Sequence, residues 1–220
     1  VEYMHQQTLL AEAAYADYPS YPTNEDALIV EGMSDTQARV LLATWDIIDH
    51  VPDLDSGFSA TIFRSRDDPG HYTLAIRGSL EPWEDFLVSD GAQIFEGGIA
   101  ALQLVDLYNF WQRATTPAGE HYTAARLTPN LELFPNPIQI AGIRHGVEFV
   151  TSSQLADEEM RTGSGAIGAL LTDLDVTGHS LGGHLAMAFT RLFPVFGAQA
   201  LAVNGLGFKL DEANVDNLFA

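Results

Sequence analysis

The sequence predicts an α/β domain built on a mostly parallel sheet with an antiparallel edge. Three observations carry that expectation. Runs rich in β-branched and aromatic residues at 45–51 (WDIIDHV), 58–63 (FSATIF) and 72–76 (YTLAI) follow one another across short turns, as antiparallel neighbours do. Further on, a strand-like run at 171–180 (LTDLDVTGHS) passes into a helical stretch at 181–193 (LGGHLAMAFTRLF) and then into a plausible next parallel strand, ALAVNG at 200–205. That order is a βαβ unit. The chain has 220 residues, 46% of them hydrophobic, enough for one core of this kind and too many for a disordered chain.

The remaining elements follow from local signals. Residues 5–17 (HQQTLLAEAAYAD) read as a helix, and 18–33 as a loop containing Pro and Tyr. Ser34, Asp35 and Thr36 offer cap chemistry for a helix over 37–44. The turns are PDLDSG at 52–57 and DDPG at 67–70. Residues 98–113 read as a helix with Leu102, Val105, Tyr108 and Trp111 on one face. Residues 114–165 hold prolines at 117, 129, 135 and 137 with several glycines, and read as a loop-rich insertion or part of a lid within a single domain, 1–220. Pro194 stops the last helix.

Thirty acidic against ten basic residues give a formal charge of −20, which repels nucleic acid and anionic membranes at low salt. Plain solubility explains the same excess equally well. Without cysteine there is neither a disulfide nor a thiolate metal site. No apolar run reaches the length of a transmembrane helix and no charged-then-apolar leader opens the chain. The first residue, Val1, suggests processing, trimming or an excised domain. The acidic turns at 24–26, 52–57 and 66–68 leave calcium open, but none fits an EF-hand loop and solvated turns are favoured. His5, His50, His71, His121 and His145 are scattered and form no metal-ligand spacing.

Gly178-His179-Ser180-Leu181-Gly182 carries the chemistry. It fits G-x-S-x-G, with a strand before it and a helix after it. A serine on so sharp a turn projects its oxygen above the sheet edge, and the glycines remove side chains that would clash there. Ser180 is therefore the expected nucleophile. The helix N-terminus favours the negative charge of a tetrahedral intermediate, and the backbone N–H of Leu181 is one expected oxyanion donor.

The segment VTGHSLGGHLA at 176–186 resembles the nucleophile segment of class 3 lipases, the fungal triacylglycerol-lipase type. LAIRGSLEPWEDF at 74–86 is similar to that family's strand–Arg-Gly-Ser–lid segment. The resemblance covers roughly 58–113 and 166–207, and implies an α/β-hydrolase fold with flanking helices. It also implies that Ser79 gives a second oxyanion donor and that Leu80, Trp83, Phe86 and Leu87 belong to an amphipathic lid. An ordinary surface helix explains the lid residues as well. Ile94, Phe95, Phe134 and Ile138 would line an acyl pocket or simply the core.

The implied reaction is hydrolysis of carboxylic esters through an acyl-enzyme, on acylglycerols or related lipids, with transient contact at a lipid interface and no organic cofactor. Phospholipase A1-type, short-ester and polyester substrates stay open, as does a non-catalytic lipid-binding module of a larger exported protein. The acidic, cysteine-free composition suits bacterial secreted lipases, hence an extracellular location.

Two departures from the family stand out. His184 replaces a small residue one turn into the helix and is a poor candidate for the base, while His179 reads as structural. The expected triad order is serine, acid, histidine. Asp211, Glu212 and Asp216 follow Ser180, but no histidine follows His184. The triad histidine and acid are thus not found, and the 220 residues are expected to be an N-terminal piece whose missing C-terminal segment would be its partner. A degenerate relative, or a histidine such as His145 folding back, are the lesser readings.

Overall fold

The computed structural model describes residues 2–78, 100–129, 138–140, 143–168, 171–194, 197–208 and 219. In chain order these form helices Glu2–Ala13 (α1), Asn24–Val30 (α2) and Asp35–Thr44 (α3), then strands Trp45–Val51 (β1), Ala60–Ser65 (β2) and His71–Ile76 (β3). Next come helix Ala101–Thr115 (α4) and strands Thr123–Pro129 (β4), Ile138–Ile140 (β5) and Ile143–Thr151 (β6). Strand Asp173–His179 (β7), helix Leu181–Leu192 (α5) and strand Gln199–Val203 (β8) complete the set. The chain divides into two units, one of Val1–Ser79 with Ala169–Leu206, the other of Leu80–Gly168 with Gly207–Ala220.

The first unit holds a five-stranded sheet in the order β1-β2-β3-β7-β8. β1, β2 and β3 are an antiparallel meander, with Ile62 opposite Leu74. β3 then lies parallel to β7, and β7 parallel to β8, so every strand but β2 points the same way. This is the expected α/β arrangement: a mostly parallel central sheet, an antiparallel edge and flanking helices.

Side-chain alternation assigns the two faces of this sheet. Asp175 and Thr177 of β7 face α1, where Gln7 Nε2 donates to Asp175 at 3.0 Å and the Thr177 hydroxyl donates to the Gln7 carbonyl at 3.1 Å. Gly178, one residue on, faces α5, because a Cβ there would run into the Gly182 backbone. Helices α1 and α5 therefore cover opposite faces. On the α1 side Leu10, Leu28, Leu41, Trp45 and Phe63 make one buried cluster. Each such side chain contributes about 1.5–3 kcal/mol.

The second unit holds a three-stranded antiparallel sheet, β4-β6-β5, packed on α4. Asn109 of α4 fastens β4 from both sides, its amide donating to the Ala125 carbonyl and its carbonyl accepting from the Ala125 amide, each at 2.8 Å.

Several local expectations need correction. Residues 18–33 contain α2, started by the Thr23 hydroxyl, which accepts from the Asp26 amide at 3.1 Å. Thr-Asn-Glu-Asp supplies the cap, and Pro19 and Pro22 lie before the helix and do not interrupt it. α1 ends at Ala13, four residues before the expected 17, because Tyr18–Ser20 with its proline forms a separate 3-10 turn. On α4, Val105 and Trp111 are buried as expected and Tyr108 partly so, whereas Leu102 is exposed and Leu104 and Leu107 are buried as well. The buried face is broader than the expected stripe and leaves out Leu102. Residues 114–165 carry β4 to β6, which the prolines and glycines disguised as loop.

Candidate active site

β7 hands over to α5 at a single residue, Ser180. Its φ of 54° and ψ of −118° are a strained conformation for any residue with a Cβ. Its amide donates to the Val203 carbonyl of β8 at 2.9 Å, and its carbonyl accepts from the His184 amide at 3.2 Å, starting the helix. A serine before a helix ordinarily turns its oxygen back onto the first turn. Ser34 does so before α3, with φ −68°, ψ 152° and a full capping box with Gln37. Ser180 makes no such cap bond. Its hydroxyl is thereby left for other work, and it does not occupy the amide donors that open α5, Leu181 among them.

The glycines permit this geometry through close approach. A Cβ on Gly182 would meet the Ile76 and Arg77 backbones, and one on Gly183 would stand 2.9 Å from Gly205 Cα. The start of α5 thus lies against the end of β3. There Arg77, 7% exposed, pairs with Asp53, and its amide donates to the Ser59 carbonyl at 3.0 Å. This pins the 52–57 turn to the carboxyl edge of the sheet. A Cβ on Gly78 would stand 2.6 Å from the His179 carbonyl and 3.4 Å from Ser180 Cβ, so the chain before Ser79 runs alongside the elbow. Ser79 itself lies outside the described residues, as do Leu80, Trp83, Phe86 and Leu87 of the expected lid, Ile94, Phe95 and Phe134 of the expected pocket, and the acids Asp211, Glu212 and Asp216.

The histidines of the first unit are engaged in several ways. His184 is fully buried on α5 with Nδ1 3.1 Å from the Leu206 carbonyl, which anchors the chain after β8. His179 has Nδ1 3.1 Å from the Tyr15 hydroxyl. Burial pushes His50 down to about 4, against the pull of Asp17, so it is neutral at pH 7. Its Nδ1 lies 2.9 Å from the Thr61 hydroxyl, and β1 is three strand steps from β7, about 14 Å. His71 sits at the opposite end of the sheet, beside Asp175 at 2.9 Å. In the second unit His121 Nδ1 is 2.9 Å from the Arg161 carbonyl, and His145 lies on β6. In the suggested calcium turns Asp26 accepts from the Thr23 hydroxyl, Asp53 pairs with Arg77, and Asp68 accepts from the Gly70 amide.

A cavity of about 470 Å³ opens beside the elbow, with Glu12, Tyr15, Glu31, His179 and Val203 among its lining. Sequence reasoning passed over Tyr15 and read Asp53 only as part of an acidic turn; each gains its place only when distant segments meet.

No protein-family model matches the chain, and no curated protein does. Solved structures are similar to it, among them two lipases. One is the Lip2 lipase of Yarrowia lipolytica, at 17% identity and a TM-score of 0.41, covering 91% of this chain. The other is M37 lipase, at 12% identity and a TM-score of 0.37, covering 90% of this chain. The chain spans 56% and 58% of their respective lengths.

Proposed function

We propose that the protein is a serine carboxylic ester hydrolase, with Ser180 as the nucleophile and lipid esters, acylglycerols first, as substrates. The observation that supports this is the uncapped Ser180 at a strained strand-to-helix turn. The same chain caps α3 conventionally with Ser34, so the missing cap bond is particular to this turn.

In the proposed route the Ser180 hydroxyl attacks the ester carbonyl and a histidine takes its proton. The carbonyl oxygen becomes an oxyanion facing the Leu181 amide and, on this reading, a donor from Ser79. Collapse expels the alcohol, which takes up the proton, and water then hydrolyses the acyl-enzyme. No organic cofactor is needed. Residues 80–87 as a lid and a secreted location belong to the same proposal.

Reaction of the full-length protein with a fluorophosphonate, followed by peptide mass spectrometry, tests it. Ser180 should be modified, and Ser180→Ala should abolish both labelling and hydrolysis of p-nitrophenyl butyrate, by about a thousandfold or more, with unchanged circular dichroism. An unlabelled Ser180 in folded protein would leave the non-catalytic lipid-binding module as the better reading.

A further inference from the structure

We propose that the Tyr15 hydroxyl is a positioning group for the nucleophile: it clasps the residue before Ser180 and the residue before Ser79, and so sets the gap between nucleophile and oxyanion segment. The inference rests on the hydrolase reading above.

Ile76 and Gly178 are the last residues that β3 and β7 pair. Beyond them the ladder no longer holds the two chains in register, yet the segments that would carry attack and oxyanion begin just there. Tyr15, two residues past the end of α1, reaches this gap. Its hydroxyl lies 3.1 Å from His179 Nδ1, and Gly78 comes so close that a Cβ on it would run into the same hydroxyl. The donor inventory orders the contacts. The Gly78 amide can only donate, and its proximity to the phenol oxygen opposes the upward push of burial on the Tyr15 pKa. The phenol proton is then directed at His179 Nδ1, which leaves the imidazole proton on Nε2.

Ser180 is strained, and strain persists only where the surroundings over-determine it. Its amide is tied to Val203 on the β8 side. The Tyr15–His179 contact supplies the tie on the α1 side. Simple packing is a poor account of the hydroxyl, because Tyr15 is only partly buried and borders the 470 Å³ cavity.

Tyr15→Phe in the full-length protein tests the idea, since it removes one oxygen and keeps the ring. The rate of fluorophosphonate labelling at Ser180 and kcat on p-nitrophenyl butyrate should each fall about tenfold, the effect of one lost hydrogen bond. KM and the thermal midpoint should stay near those of the parent. Combining Tyr15→Phe with His179→Ala should cost less than the product of the two single effects, because both cut the same link. Unchanged labelling and kcat in Tyr15→Phe overturn the proposal while leaving the hydrolase reading intact. A fall in thermal midpoint with a raised KM and unaltered kcat also overturns it, by reducing Tyr15 to a structural residue. A parent protein whose Ser180 does not label overturns the hydrolase reading and this inference together.

Discussion

Ser34 and Ser180 hold the same formal place, the residue before a helix, and their hydroxyls are used in opposite ways. The difference was legible in sequence through the neighbours: Gly178 and Gly182 flank one serine, Gln37 answers the other. His71 was not legible. It lies in an unremarkable run, and the fold sets it against Asp175, which is 3% exposed and also receives bonds from Gln7 and Tyr3. The hydrogen bond to Asp175 raises the His71 pKa above its usual 6.5, burial opposes this, and Asp173 and Asp68 add to the rise. A raised folded-state pKa stabilises the protein fully below 6.5, and that contribution is lost as pH climbs through the raised value. The urea-unfolding stability of the parent relative to His71→Gln should therefore shrink by about 1 kcal/mol between pH 6 and pH 9, the difference between a charged and a neutral hydrogen bond. A gap that stays constant with pH would show that the pair contributes nothing through charge.

At the scale of elements, the β7–α5 junction depends on backbone meeting backbone. Gly182 faces the Ile76 carbonyl and Arg77, none of which can swing aside as a side chain would. Gly182→Ala should destabilise the protein by about 1–3 kcal/mol, the usual cost of overpacking, and should slow Ser180 labelling because the strained turn moves with the helix. Gly207→Ala, with nothing within 4 Å of the new methyl and no positive φ, is the control and should leave both unchanged. Chemical denaturation and labelling of the two variants side by side check this. The elbow was readable because strand, glycines and helix are contiguous. α2 and β4 to β6 were missed because proline and glycine signal turns without saying what lies between them.

Across the whole molecule, charge is the dominant long-range force. With −20 spread over 220 residues, self-repulsion opposes folding. Raising NaCl from about 0.01 M to about 1 M shortens the screening length from about 30 Å to about 3 Å. The thermal midpoint should rise by at least about 3 °C, equivalent to roughly 1 kcal/mol for a chain of this size. A midpoint that falls or stays level would mean that attractive pairs such as Arg39–Glu25 and Arg126–Glu148 outweigh the repulsion.

By itself the sequence determined the α/β class, the strand–helix–strand succession around the elbow, and Ser180 as the residue expected at its turn. Those properties are set by neighbours a few residues apart: alternation, glycine spacing, a proline stop. Only the tertiary structure decided that Tyr15 reaches His179, that Arg77 anchors Asp53 and that His71 meets Asp175. Each of these joins groups from separate segments, 164 positions apart for Tyr15 and His179 and 104 for His71 and Asp175. No local pattern marks such pairs, because what selects them is the register of the sheet and the face on which α1 packs.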